Sequence, residues 1–558
     1  MPLNKKVFSF RSYKLGWMTV TIFVLTFLVF YNTLGNKFTS WDDDKYIIEN
    51  PLIKQISIKN IGLIFKKSYY CNYSPIHILT YMVEYKLFKG NPKGFHFLSV
   101  LLHCINCLLV FWFLSFLVKN HWLAFFATLF FGLHPLRSEP VAWASSQKDL
   151  LFSMFYLFGL IQYLYYQGNH KLKYLGSTTV FFVLSLLSKS TAVTFPLVLL
   201  LLDYLKLNVF TSKQILDKLP FFLLSLNMAV LTYFTQKAGD GVGKPYLILV
   251  ERIPAACYIL VQYAWQQIFP FGISAFYPYP DKVEGHLPIQ FWLFILPVAG
   301  IMYYIFKNVF KQKLEVFCLL FFVITNLVTL QLIQVGKAIT ADRFSYLPSI
   351  GLALFLVLLV EKLSPKGLFT NKIKLGLATI WCIVLAICTI NQNRIWANSL
   401  ELYNSILYKY PNVPLILNNR AIQKFENGDK DGALQDFNLA IRADSSLAMT
   451  YENRGILFGN LKRYEEAFQD YRQSIRLKPS VRSFINRGLL SLIKCDYTAA
   501  ISDFNQAILL GPNNSLAYKN RGLAYELSGQ KDLGCADLQK AASFGMKDAG
   551  ILMERFCR

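Results

Sequence analysis

The chain has 558 residues, of which 54% are hydrophobic, 16% aromatic and only 16% charged. Soluble domains carry about 25% charged residues, so an ordinary soluble enzyme is excluded. The net charge of +24 would suit nucleic acid, but residues 401–558 hold 21 Lys/Arg against 17 Asp/Glu, which leaves +20 on the apolar part. A basic excess between apolar runs is the signature of loops kept in the cytoplasm, and nucleic acid is not expected as a partner.

In chain order, apolar runs long enough to cross a bilayer fall at 15–35, 95–118, 122–134, 149–166, 174–188, 192–205, 219–236, 289–306, 314–333, 348–362 and 374–392. Lys5, Lys6, Arg11 and Lys14 precede the first run and no small-residue cleavage site follows it, which reads as a first span starting in the cytoplasm. Lysines then recur at Lys119, at Lys171 and Lys173, at Lys206, Lys213 and Lys218, at Lys307, Lys311 and Lys313, and at Lys362, Lys366, Lys372 and Lys374. About eleven spans put each cluster inside. The apolar stretch 252–269 would break that agreement if it crossed, so it is expected to be interfacial or re-entrant on the outer side.

The same arithmetic sends a different set of residues outward. FTSWDDDKYIIENP (38–51) carries Asp42, Asp43 and Asp44, and HPLRSEPVAWASSQKD (134–149) carries His134, Arg137, Glu139, Lys148 and Asp149. LSKSTAVTFP adds Lys189, FYPYPD adds an aromatic–proline loop, and TADRFSYLPS adds Asp342 and Arg343. Charges beside lipid are costly unless paired or used, so their convergence points to a site. CINC at 104–107 lies inside a spanning helix, where packing is expected over redox chemistry. No metal-ligand cluster stands out.

From residue 399 onward the sequence is amphipathic and repeats. NRA at 419–421 and NRG at 453–455, 486–488 and 520–522 recur at spacings of 34, 33 and 34 residues. Small residues at Ala421, Gly455, Gly488 and Gly522, and bulky ones at Phe437, Tyr471, Phe504 and Leu538, keep the same period. That is the tetratricopeptide repeat (TPR) pattern. The expected organisation is a membrane domain over 1–398, a connecting helix over 399–413 that caps the stack, and four repeats over 414–447, 448–480, 481–514 and 515–548 within 414–558. TPR arrays present a groove to peptides or protein segments. The Asn-Arg pair of each unit either lines that groove or has a structural role in the first helix; both readings are open.

FTSWDDDKYIIENP, GNPKGFHFLSVLLH (90–103), FGLHPLRSEPVAWASSQKDLL (131–151), LSKSTAVTFPLVLLLLDY (187–204), FYPYP and ADRFSYLPSIGL, followed by TPRs, resemble bacterial relatives of the transmembrane-and-TPR O-mannosyltransferases of the GT-C superfamily. The resemblance covers nearly the whole chain and implies an all-α protein: a polytopic membrane GT-C-type helical domain followed by an α-solenoid. It implies an inverting glycosyltransferase of the bacterial inner membrane, and the count of about eleven spans from a cytoplasmic N-terminus puts the TPRs on the non-cytoplasmic side. The donor would be a polyprenyl-phosphate sugar and the acceptor a hydroxyl, on polypeptide where the TPRs deliver it. Ser190 departs from the animal members, whose lysine is followed by glutamate.

Such a transfer needs a carboxylate to take the acceptor proton and cations for the leaving phosphate. Asp42 matches the first acid of the loop motif and is the expected base, with Asp43 next. Arg343 leads the donor-phosphate-binding candidates, followed by Lys189 and Arg137. His134, Glu139 and Asp342 are expected to orient the acceptor or the acidic loop. No cofactor is expected; a divalent metal at Asp42–Asp44 is left undecided, since no further ligands are evident. Two alternatives stand beside this reading: a membrane-anchored TPR scaffold without catalysis, and a lipid-linked-sugar ligase acting on a glycan or lipid.

Overall fold

The computed structural model describes residues 13–70, 72–206, 212–238, 246–334, 336–363 and 371–557. Lys5, Lys6, Arg11 and Lys366, which contributed to the charge argument, lie outside them. Among the described residues the fold is all-α apart from one two-stranded ribbon, and the chain divides into two compact units, Met1–Leu402 and Tyr403–Arg558.

In the first unit the helices are α1 Tyr13–Phe30, α2 Ile58–Lys66, α3 Pro75–Phe88, α4 Pro92–Leu117, α5 His121–Gly132, α6 Ser138–Ala142, α7 Gln147–Asn169, α8 Leu172–Ser188 and α9 Phe195–Lys206. They continue as α10 Ser212–Leu216, α11 Leu219–Ala238, α12 Arg252–Ile268, α13 Gln290–Leu293, α14 Ile295–Asn308, α15 Lys313–Asn326, α16 Ser349–Leu363 and α17 Asn371–Arg394, and α18 Ser399–Lys409 runs from the end of this unit into the second. Every expected span falls on a helix. Five segments of the described residues are long and apolar enough to cross a bilayer: Leu15–Gly35, Pro92–Leu117, Gln214–Ala238, Ile289–Asn308 and Ile373–Arg394. The runs at 122–134, 192–205, 314–333 and 348–362 differ, because α5 and α9 have only 12 residues each, α15 has 14 and α16 has 15. At 1.5 Å per residue they reach about 18–23 Å, short of the roughly 30 Å hydrocarbon core.

The central helix is α4, set in position by Pro92 in its first turn and by Asn91, whose side chain accepts from the Lys93 N–H. Most of its length is buried against α1, α5 and α7. Inside it His103 bonds the Tyr346 hydroxyl (2.7 Å) and the Gly132 carbonyl (3.0 Å). Asn106 donates to the Leu150 carbonyl (3.0 Å). Such interhelical hydrogen bonds are how an apolar bundle places polar side chains, and here they tie Tyr346, Gly132 and Leu150 to α4.

One region was blank in the sequence reading. Between α1 and α4, helices α2 and α3 pack on the 38–53 segment around Tyr46, Ile47, Ile53, Ile64, Ile78, Tyr81 and Met82. The acidic loop therefore rests on a small core of its own.

In the second unit the helices pair as α19 Pro414–Glu426 with α20 Lys430–Ala443, α21 Ala448–Asn460 with α22 Tyr464–Leu477, α23 Val481–Ile493 with α24 Tyr497–Leu510, and α25 Ser515–Leu527 with α26 Lys531–Ser543, followed by α27 Lys547–Phe556. The recurrent glycines mark close crossings: a methyl at Gly455 would lie 2.8 Å from the Tyr471 ring, and one at Gly488 2.7 Å from Phe504. The recurrent arginines are structural. Arg420, Arg454, Arg487 and Arg521 each donate to an aspartate 16 residues on (Asp436, Asp470, Asp503 and Asp537), tying the two helices of a pair. Three of them also reach an asparagine 16 residues back, Asn404, Asn438 and Asn505, on the preceding helix. Cys535 and Cys557 form a disulfide that closes α27 onto α26.

Candidate functional site

The acidic loop is built by one tight turn. The Asp42 carbonyl accepts from the N–H groups of Lys45 (3.1 Å) and Tyr46 (3.0 Å), and this turn separates the two adjacent aspartates. Asp43 is fully buried. One of its oxygens accepts from the backbone and hydroxyl of Thr39 (2.8 and 3.0 Å), the other from those of Ser145 (2.8 and 2.5 Å). All four partners donate, two of them backbone N–H groups, so the group holds its place as a carboxylate. Burial pushes its pKa up to about 6 while the four donors pull it down. It stitches FTSWDDD to the WASS segment.

Asp42 is half-buried, and among the described residues its carboxylate has no hydrogen bond and no ion pair. Burial raises its pKa, opposed by the charges of Lys148 and Arg343 and reinforced by Asp44. The three aspartates thus meet different surroundings and do not gather as ligands. Among the described residues the one group close enough to hold a cation is Glu526, Cys535 and Cys557, a cluster the sequence reading missed. Its two sulfurs are joined as a disulfide, and the ligating form of cysteine is the thiolate.

The cations come from two further loops. Asp342–Ser345 forms a 3₁₀ turn held on both sides. Asp342 accepts from the Tyr277 hydroxyl (2.7 Å), which itself accepts from Gln266 (2.8 Å) and the Ser274 N–H (3.0 Å). The ribbon of β1 Tyr277–Pro278 with β2 Ala338–Thr340 brings FYPYP to this turn. Glu139 accepts from the Arg343 backbone (2.8 Å) and from its guanidinium, and that guanidinium lies over Trp143 (5.2 Å) and Phe344 (4.8 Å). Lys189 pairs with Asp149, which is almost fully buried.

Lys189, Asp149, Arg343, Thr191, Thr325 and Thr329 line a small cleft whose remaining wall is Phe152, Phe344, Leu347 and Pro348. Cations, hydroxyls and an apolar wall together suit a phosphate on a hydrocarbon tail.

Arg137 is placed elsewhere. It is fully buried, is not among the cleft residues, and donates to the carbonyls of Ser345 (3.3 Å) and Tyr346 (3.0 Å). It holds the Arg343 turn. His134 likewise works on backbone: one ring nitrogen accepts from the Leu136 N–H (3.2 Å) and the other meets the Gln267 carbonyl (3.2 Å). Asp42, Arg343, Lys189 and Glu139 therefore gather at one site, with Asp43, Asp342, Arg137 and His134 supporting the loops. Lys148 and Asp149 belong to this cluster and had no role in the sequence reading, although both stand in the motif that supplied Glu139.

The class this defines is a polytopic helical membrane protein bearing a charged loop cluster and TPRs. A family described as Tetratricopeptide repeat matches residues 450–480. Among curated proteins the chain is 24% identical over 446 residues to Protein O-mannosyl-transferase F38B6.6 of Caenorhabditis elegans, covering 76% of this chain and 62% of that one. It is 24% identical over 518 residues to Protein O-mannosyl-transferase TMTC3 of Homo sapiens, covering 81% and 55%. The chain is thus a relative of these proteins, similar over most of its own length, and it spans about half the length of the curated relatives it matches. Solved structures align with the repeats: MamA at 22% identity over 27% of this chain and 90% of that one (TM-score 0.25), and YrrB, a TPR protein with an unusual peptide-binding site, at 18% over 26% and 76% (TM-score 0.25).

Proposed function

We propose that the protein is an integral membrane glycosyltransferase that moves a sugar from a polyprenyl-phosphate carrier to a hydroxyl of a polypeptide at the non-cytoplasmic face. The observation that carries this reading is the unpaired Asp42 carboxylate set against two cations, Lys148 and Arg343, beside a cleft with an apolar wall. Asp42 takes the proton as the acceptor oxygen attacks the anomeric carbon. The C–O bond to phosphate breaks with inversion, and its electron pair leaves on the phosphate held by Arg343 and Lys189. The relatives' names make mannose the first sugar to test, and the repeats over 414–558 are proposed to deliver the acceptor. The test presents the purified protein with a panel of labelled polyprenyl-phosphate sugars and candidate acceptors. Label on a polypeptide hydroxyl is expected; label on glycan or lipid alone would replace the acceptor class, and no transfer at all would sink the reading.

Two observations support the sidedness. Lysine-rich loops favour the cytoplasm, and disulfides such as Cys535–Cys557 form and persist in oxidising compartments. Cys495 is exposed and free, so it reports directly. A membrane-impermeant thiol reagent is expected to label it in intact cells, with Cys495→Ser as control. Labelling only after lysis would place the repeats in the cytoplasm.

A further inference from the structure

Six charged groups meet at the site: the carboxylates Asp42, Glu139 and Asp149, and the cations Lys148, Lys189 and Arg343. Their pairing is unequal. Arg343 is bound to Glu139 and Lys189 to Asp149. Lys148, the second residue of α7, makes no hydrogen bond and no ion pair among the described residues. Its ammonium lies 5.0 Å from the Tyr46 ring centroid, on the same small core that supports the acidic loop. It faces Asp42, Asp149, Lys189 and Arg343, and burial pushes its pKa down to about 8. One cation and one carboxylate, Lys148 and Asp42, are therefore left without close partners.

We propose that Lys148 receives the donor phosphate, and that by doing so it withdraws the charge that steadies Asp42 and makes Asp42 a stronger base only when donor is bound. The inference rests on the lipid-phosphate reading above. Its physics is the balance of charge. A cation already bonded to a buried carboxylate offers a phosphate less net attraction than one whose close contact is an aromatic ring. During transfer the phosphodiester, with one negative charge, becomes a monoester that has gained the electron pair of the broken C–O bond. A cation whose charge is uncommitted therefore stabilises the transition state more than the bound donor. Asp42 faces Lys148, Arg343 and Asp44, and a phosphate on Lys148 both screens the largest favourable charge and adds a negative one. Asp42 then holds a proton more tightly, which is what a base must do for a weakly acidic hydroxyl.

The test uses the full-length protein and farnesyl phosphate, a sugar-free probe, with farnesol as the uncharged control. Lys148→Met is expected to weaken farnesyl phosphate binding roughly tenfold or more, and Lys148→Arg to keep it within about threefold because the charge remains. Asp42→Asn has the opposite sign: with no carboxylate facing Lys148, the probe binds several-fold tighter, which tests the coupling even where the Met variant fails to fold. In the wild type the acid limb of kcat, which reports the donor-bound enzyme, lies at higher pH than that of kcat/KM, which reports the free enzyme. In Lys148→Met the kcat/KM limb moves up and the gap narrows. If the wild type binds the probe but Lys148→Met binds it equally well and leaves the gap unchanged, the role of Lys148 is refuted and the lipid-phosphate reading stands. If the wild type binds farnesyl phosphate no better than farnesol, that reading falls and this inference with it.

Discussion

Replacing Asp42 by asparagine lowers turnover by roughly 10²–10⁴-fold while the protein stays folded and still binds donor. The amide keeps size and polarity but takes up no proton, and the half-buried Asp42 side chain has no hydrogen bond among the described residues that the substitution would break. Its neighbour behaves oppositely. In Asp43→Asn an NH₂ group must face two of the four donors from Thr39 and Ser145, and each orphaned buried donor costs about 1–3 kcal/mol. That variant loses thermal stability as well as activity. Melting curves beside initial rates separate the two; an Asp42→Asn protein keeping a third of wild-type turnover would end its role as base. Because burial raises the Asp42 pKa and the base works deprotonated, activity falls with decreasing pH at a point above the usual carboxylate range. A rate that is flat down to pH 4 contradicts this.

Arg343→Lys is expected to weaken both donor affinity and turnover, the latter by roughly 10²-fold. The positive charge survives, but the arginine does three things at once. One arm of its fork bonds Glu139, its face rests between Trp143 and Phe344, and the other arm has no hydrogen bond within the described residues. An ammonium is compact and cannot hold Glu139 while presenting a second donor in a fixed direction. Titrating donor binding directly, apart from turnover, checks the claim. Wild-type affinity in Arg343→Lys would remove Arg343 from the phosphate.

What the sequence makes visible follows the range of the forces involved. Helices such as α4 and α17 are legible because an apolar run of more than twenty residues states its own surroundings. The repeats are legible because the Gly455–Tyr471 crossing recurs at a fixed period. The acidic loop is legible and the resemblance ranks Asp42 before Asp43, but the structural role of Asp43 is not legible, since two of the four bonds that hold it come from Ser145, 102 residues away. Arg137 was read as a ligand for phosphate because a cation in a loop motif looks available; its carbonyl partners lie some 208 residues on. Helices α2 and α3 escaped notice because their apolar residues serve a small local core and form no long run. Cys535 and Cys557 escaped because the second lies beyond the last full repeat.

The exit of α17 bears on how the chain can be cut. Trp396 stacks on Trp143 (5.7 Å), the ring that supports Arg343, while the Ala397 carbonyl accepts from the Lys37 backbone (2.9 Å) and the Ser399 hydroxyl from that of Ser40 (3.0 Å). Residues 396–399 are thus a strap across the acidic loop, at the point where the sequence passes from the membrane domain to the connecting helix. A truncation intended to remove only the repeats has to end beyond Ser399. One that stops at Arg394 takes away the outer wall of the site, and its inactivity would say nothing about what the repeats do.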